Sequence, residues 1–472
     1  MFAAASSVAS SYPGVPMAVA AEAPTPPASH RATPARSRLR DLPLPVLIAL
    51  AAILAVAFGV RAWSATHPVV DPGPDSTAYR AIAEHLFESG RYGTPNQTSP
   101  SDWSPGLPLL VAGLYTLIGA ADETAARLMI AVLGTLMVLF TFLIGRRVAG
   151  AAAGLIAAAL VATYPTYIEN NGQLLSEPLA AFLLTGGLLG VLWAAERRRL
   201  IAWVLPGLFF GALTLTRPEY QAITFAFAAL VLWRVWRDAG LLRGFAAAAV
   251  VVVAAALVVA PWMVRNRIVL DKWVPVSTGG GKALFVATYL PGLGRQVPTK
   301  RDLMRRYLGA KDPITTDELR AQKMQPLLNR VAEKYPDLPR DEALGRIGRE
   351  NLRRYVTEQP GAYARMSALK FWNVWERGSS PYMRDAGWVA YHRGLLLAGL
   401  AGIAVLLAAA RTRWQALLLA CPLAAISVLG TILLAVPRRQ VPLMPLVCIF
   451  AAVFLVWAYR QARRRRDAAT AA

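Results

Sequence analysis

The chain has 472 residues, of which 56% are hydrophobic and 17% charged, with a mean hydropathy of +0.41. That balance excludes a string of water-solvated globular domains and points to a protein solvated by lipid. The formal charge of +22 is scattered in short basic clusters between apolar runs, not gathered in one stripe with interleaved aromatics, which argues against a nucleic-acid partner. Two cysteines inside apolar segments, Cys421 and Cys448, and four scattered histidines offer neither a disulfide framework nor a protein-built zinc site.

Residues 1–43 are rich in Ala, Pro and Ser without periodicity and are expected to be a disordered cytoplasmic tail. A signal peptide is disfavoured, because the positive charge falls just before the first long apolar run and not at the start. Apolar runs able to cross about 30 Å of hydrocarbon begin near Leu44, Arg127, Ala151, Ser176, Leu200, Pro218, Phe245, Gly394, Trp414 and Val441. The fold class expected is therefore an all-α polytopic membrane protein with about ten transmembrane helices.

Walking the loops alternately, one face collects Arg36, Arg38 and Arg40, then Arg146 and Arg147, then Arg197 to Arg199, then Arg234, Arg237 and Arg243. The same face receives Arg411 and Arg413, and Arg460 with Arg463 to Arg466 in a basic tail over 461–472. By the positive-inside rule that face is cytoplasmic, and both termini belong there. The opposite, periplasmic face receives two longer segments, 64–126 within a core over 44–264, and 265–391 before the closing helices of 392–460. Segments this long translocate largely regardless of charge, so the basic character of the second does not overturn the orientation. "DEALGRIGRENLRRYVTEQPGAYARMSALKFWNVW" has helical spacing with aromatics near its end, suggesting amphipathic helices against the membrane surface. They form either a cap that merely packs or a lid over a site.

The first outer segment opens "DPGPDSTAYRAIAEHLFESGRYG", Asp71 to Gly93. Asp75, Tyr79, Ile82 and Leu86 share helical spacing, so a helix is expected to start at or beside Asp75. Asp75 then serves either as its N-cap or as a carboxylate positioned to take a proton from an attacking hydroxyl. Further along, "LLSEPLA" puts Glu177 in the first turn of a membrane helix, and "LTLTRPEY" puts Arg217 and Glu219 in a tight turn. "APWMVRN" puts Arg265 and Asn266 at a helix exit, and "PRRQVP" puts Arg438 and Arg439 at the start of the last helix. Acids and arginines thus gather at one depth, where ionisable groups are costly unless paired, functional or snorkelling. An arginine pair beside carboxylates suits a lipid phosphate that is held and then released.

"STGGGK", Ser277 to Lys282, fails as a nucleotide loop, because Val276 stands where Gly is needed and Ala283 where Ser or Thr is needed. The Asn96 to Thr98 sequon is read as chance. No internal repeat is found, which weakens the alternative of a lipid or solute transporter or flippase, and no soluble partner domain supports a scaffold.

Asp75 with "STAYRAIAEHLFESGRYG", then "WSPGLPLLVAGLYTLIG", "SEPLAAFLL", "LTRPE", "APWMVRNRIVLDKWVPVSTGGG" and "VPRRQVPLMP" together resemble the polytopic glycosyltransferases of the C superfamily. More narrowly, they are similar to its dolichyl-phosphate-mannose-protein mannosyltransferase-like and aminoarabinose-transferase-like bacterial branch. The resemblance runs from about Leu44 to Tyr459 and rests on the order of the motifs together. It implies a polyprenyl-phosphate-linked sugar donor and an acceptor hydroxyl on a lipid, polysaccharide or protein, with transfer at the periplasmic face of a bacterial inner membrane. It also implies Asp75 at the catalytic site, with Asp71 as the alternative because relatives carry adjacent acids where this chain has "PGP" between them. Glu177 becomes a second acid, with Tyr79, Glu219 and Asn266 as substrate contacts. Arg438 is the arginine on the donor phosphate, with Arg439, Arg217 and Arg265 as further candidates. A "WWD" signature is absent, which points away from whole-oligosaccharide transfer. The chemistry requires no cofactor and no metal, though a divalent cation is compatible with it.

Overall fold

Every described element is helical, as hydrocarbon requires of a chain that closes no barrel, because each backbone N–H and C=O must be satisfied internally. The computed structural model describes residues 42–68, 73–94, 101–197 and 199–471. Residues 1–41 of the tail expected over 1–43, Asp71, Arg198 and the Asn96 sequon lie outside the described residues.

In chain order, α1 (Leu44–Thr66) is followed by two shorter helices, α2 (Pro74–Ser89) and α3 (Gly106–Ile118). Next come α4 (Glu123–Ala149), α5 (Ala151–Ala162), the short α6 (Pro165–Glu169) and α7 (Ser176–Ala195). The helices α8 (Val204–Thr216), α9 (Tyr220–Ala239) and α10 (Leu241–Leu270) complete the first bundle. Six smaller helices form a cap: α11 (Gly280–Thr288), α12 (Gln296–Leu308), α13 (Thr316–Ala321), α14 (Met324–Ala332), α15 (Arg340–Glu358) and α16 (Pro360–Trp375). The chain then returns through α17 (Ala386–Ala408), α18 (Arg413–Ile432), a 3-10 turn (Pro437–Leu443) and α19 (Met444–Ala471).

Seven of these stretches are long and apolar enough to cross a bilayer, and α5 with the segment to Gly172 makes an eighth that is bent by 54°. Of the ten apolar runs read from the sequence, the two near Leu200 and Pro218 do not pass. The first starts as a 3-10 turn and leaves α8 short, and the second, α9, dilutes its apolar face with Arg234, Arg237 and Asp238. The most apolar stretch of α7 is 78% buried whereas that of α1 is only 17% buried, so α7 stands at the centre of the bundle and α1 faces lipid.

Two devices hold the bundle. At the bend after α5, Arg61 of α1 donates to the carbonyls of Val161 and Ala162 at 3.1 Å each, partnering the end of the broken helix, and to the Ala57 carbonyl of its own helix at 3.0 Å. Between α17 and α19, Gly402 lets the backbones touch, since a Cβ there would lie 1.8 Å from the Phe450 carbonyl oxygen. Gly402→Ala is accordingly expected to cost about 2 kcal/mol by overpacking, read as a lower unfolding temperature of the purified protein in detergent.

The cap has a core of its own, in which Phe285, Leu303, Leu328, Leu344 and Ile347 are buried together. It is built as a folded layer, not as a loose loop.

Candidate active site

The first turn of α2 is fixed from outside the helix. The backbone N–H of Gly73 donates to Gln173 Oε1 at 3.2 Å, and the N–H of Leu174 donates to Ser76 Oγ at 3.0 Å. Gly73, not Asp75, is the N-cap, and no side chain caps the helix. This removes the capping role for Asp75, whose carboxylate turns instead to an ion pair with Arg438 Nη1.

From that pair a continuous chain of charge runs inward. Arg438 Nε lies 2.5 Å from Glu177 Oε1, and the same oxygen lies 3.0 Å from Arg217 Nη1. Arg217 then reaches Glu219 Oε1 from Nη2 at 2.9 Å and from Nε at 3.0 Å. Five residues from four separate stretches therefore alternate in sign as Asp75, Arg438, Glu177, Arg217, Glu219. Side-chain exposure falls from 32% at Asp75 and Arg438 to 1% at Glu177 and stays low, at 11% and 13%, at Arg217 and Glu219, so the ladder has an open end at Asp75 and a buried remainder. Alternation is what allows so many charges to sit together in a low-dielectric layer, since each is paired within hydrogen-bond reach.

Arg439 is different. It makes no ion pair among the described residues, lies in electrostatic range of Glu219, and its Nη1 is buried without a partner. Glu177 Oε2 and the Tyr220 hydroxyl are likewise buried and unpartnered. Unmet polar atoms concentrated in one place mark a site built for a polar guest. Tyr79 packs edge-on to Trp103, with ring centroids 5.3 Å apart. Burial first, and then the nearby Glu177 carboxylate, pushes its phenol up to about 12, so it remains a neutral donor at physiological pH.

The 3-10 turn that carries both arginines is held by Tyr167, whose hydroxyl donates to the Val441 carbonyl, and by Gln440 Nε2, which donates to Arg377 O at 2.6 Å. Sequence reading missed these holders, and also Ser176, whose Oγ lies 3.4 Å from Arg217 Nη1. Their signal was faint, being uncharged residues next to charged ones.

Arg265 and Asn266 form a second cluster. Arg265 Nη1 donates to Ser101 Oγ at 2.6 Å and Asn266 Oδ1 at 3.0 Å, and its guanidinium stacks 4.8 Å from the Trp262 ring. Asn266 Nδ2 donates to the carbonyls of Val274 and Val276, so the pair clasps the strand of chain entering the cap. None of these partners belongs to the ladder.

Among the described residues the donor set does not fit a divalent cation. Each ladder acid already faces an arginine, and among the described residues no group of three or more His, Cys, Asp or Glu converges.

An all-helical, polytopic membrane protein with acids and arginines interlocked at one end of its central helix is the class that this architecture defines. Within it, residues 102–264 match the dolichyl-phosphate-mannose-protein mannosyltransferase family, and over that stretch the resemblance read from the sequence holds. The fold is similar to that of the Archaeoglobus fulgidus oligosaccharyltransferase in its apo form, with a TM-score of 0.56 and 17% identity over 90% of this chain and 52% of that one. It is also similar to AglB, the archaeal oligosaccharyltransferase from the same organism, in complex with an inhibitory peptide and a dolichol-phosphate. There the TM-score is 0.55, with 16% identity over 91% of this chain and 52% of that one. The chain thus spans about half the length of these two structures. No curated protein matches its sequence.

Proposed function

We propose that the protein is a membrane glycosyltransferase that moves one sugar from a polyprenyl-phosphate donor to an acceptor hydroxyl at the periplasmic face of a bacterial inner membrane. Both termini are then cytoplasmic. The observation that carries this reading is the ladder itself, an accessible carboxylate at one end and a guanidinium with free donors beside the other.

In this mechanism Asp75 accepts the proton of the acceptor hydroxyl as its oxygen forms a bond to the anomeric carbon. The bond from that carbon to the phosphate oxygen breaks, and the electron pair leaves with the polyprenyl phosphate. A single displacement of this kind inverts the anomeric configuration. Arg439 takes the departing phosphate charge with its unpartnered Nη1, while Arg438 and Arg217 are already committed to the acids and hold them in register. Tyr79, held neutral, donates a hydrogen bond to the sugar. No step needs a metal or cofactor.

The prenyl tail has a candidate bed. An apolar groove of about 190 Å³ lies between α8, α9 and α10, lined by Thr214, Phe225, Val252, Val259 and Met263, and Thr214 is one turn before Arg217. Ala256, also in its lining, is exposed, so Ala256→Trp fills the groove without entering the core. This change is expected to raise KM about tenfold for a long-chain donor and leave a short-chain donor unaffected, measured by transfer kinetics on the two lipids.

The reading is tested by incubating purified protein in lipid with radiolabelled polyprenyl-phosphate sugars. Label passing to a lipid, polymer or protein fraction supports it. Movement of donor lipid between leaflets without transfer replaces it with a transporter.

A further inference from the structure

The glycine-rich "STGGGK" motif, which does not serve as a nucleotide loop, has a different place in the structure. Its backbone amides do form a small anion nest, but the nest is filled from within the chain. The Asp341 carboxylate of α15 accepts from the N–H groups of Gly279 at 3.2 Å, Gly281 at 3.1 Å and Lys282 at 2.9 Å. Gly281 is required by this approach, as a Cβ there would meet the Asp341 carbonyl oxygen at 1.8 Å. On the other side, Thr278 ties the loop to the first outer segment, donating from Oγ1 to Asp102 at 2.7 Å and from its N–H to the Ser101 carbonyl at 2.8 Å. The loop is pinned on both flanks, so the Lys282 side chain at the start of α11 is delivered to a defined place.

That place lies against the first outer segment, which also carries Asp75. The Lys282 ammonium lies in electrostatic range of Asp75, Asp102 and Asp341, with Arg340 as the like charge, yet it makes no ion pair and no side-chain hydrogen bond among the described residues. Asp75 is already taken by Arg438, Asp102 by Thr278, and Asp341 by the loop amides. A half-buried cation that pairs with none of the acids near it retains three donors for an incoming anion. Burial lowers its affinity for its own proton, and a second anion would restore it.

We infer that Lys282 is a phosphate-binding residue of this site, carried by the cap on a loop pinned to the first outer segment and placed there to grip a phosphate oxygen as substrate enters. This rests on the transferase reading for the identity of the substrate, but not for the binding itself. The phosphate comes either from the polyprenyl donor or from a phosphorylated acceptor, and the chemistry of the grip is the same.

The test uses full-length protein in nanodiscs, wild type beside Lys282→Met and Lys282→Arg, with undecaprenyl phosphate in the membrane and with inorganic phosphate in solution as separate probes. Wild type is expected to bind at least one probe, the Met variant to bind it ten or more times more weakly, and the Arg variant to recover most of the loss. Unfolding temperatures are measured alongside, because a merely structural lysine would lower them in the Met variant and leave affinity unchanged. Weakening for undecaprenyl phosphate alone assigns the lipid donor as the source, and weakening for inorganic phosphate alone assigns a phosphorylated acceptor. Equal affinity of wild type and Met variant for both probes, or no binding of either by wild type, overturns the proposal. Lys282-dependent phosphate binding by a protein that transfers no sugar overturns the transferase reading and leaves the role of Lys282 standing.

Discussion

Replacing Asp75 by Asn is expected to lower sugar transfer by about a thousandfold, within the range a positioned general base contributes, with the unfolding temperature close to that of wild type. The side chain keeps its shape, and because it is one-third exposed its contribution to stability is small. Arg438 loses one partner but keeps Glu177. What disappears is the only described acid at the accessible end of the ladder. The measurement is kcat for the purified variant with saturating donor, beside its melting curve. Full turnover by a well-folded Asn variant would remove Asp75 from the chemistry and leave Asp71 as the next candidate.

Glu177→Ala is the second large effect, and it is a stability effect before it is a kinetic one. Glu177 Oε1 is the shared acceptor of Arg217 and Arg438, in a side chain only 1% exposed. Removing it leaves two guanidinium groups close together with one acid fewer between them. Breaking a buried pair in this way costs about 3 to 5 kcal/mol. Loss of folded protein on heating in detergent, or protease cleavage at temperatures that wild type survives, would register it. Glu177→Gln preserves volume and one acceptor, so it is expected to fold but to lose transfer, because Arg438 would then be drawn further toward Asp75. An Ala variant within about 1 kcal/mol of wild type would show that the ladder does not organise this part of the bundle.

The sequence made the participants visible and hid their partnerships. Asp75, Glu177, Arg217, Glu219 and Arg438 stood out because an ionisable residue at the end of an apolar run is expensive and asks for a reason. Which acid meets which arginine was invisible, since Glu177 and Arg438 are 261 positions apart and no local rule links them. The capping question at Asp75 was open for a related reason. Gly73 and Asp75 both suit a helix start, and only the contacts of Gly73 and Ser76 with the distant Gln173 and Leu174 decide between them. Arg265 and Asn266 showed the same outward signs as the ladder residues, but they serve the neighbouring loop, because α10 ends beside the Ser101 segment and not beside α7. Lys282 was overlooked for the opposite reason. Its motif departs from the phosphate-loop pattern, and the contacts that place it, from Asp341 and Asp102, come from distant parts of the chain. The all-helical, membrane-spanning class was legible from hydropathy alone, whereas the number of spans was not, because α8 and α9 depart from it through length and charge.

The ion pair between Asp75 and Arg438 joins residues 363 positions apart. During synthesis at about 5 to 20 residues per second, the acid emerges some 20 to 70 s before its arginine. Throughout that interval the nascent protein has a carboxylate but no cation from the last helix to set against it, and Glu177 has only Arg217. The ladder can close only after the hairpin of α18 and α19 has inserted, so the five charges are brought together only at that step. Two separately expressed pieces, divided between α16 and α17, should therefore each be inert and should regain a working centre only when they assemble in the same bilayer.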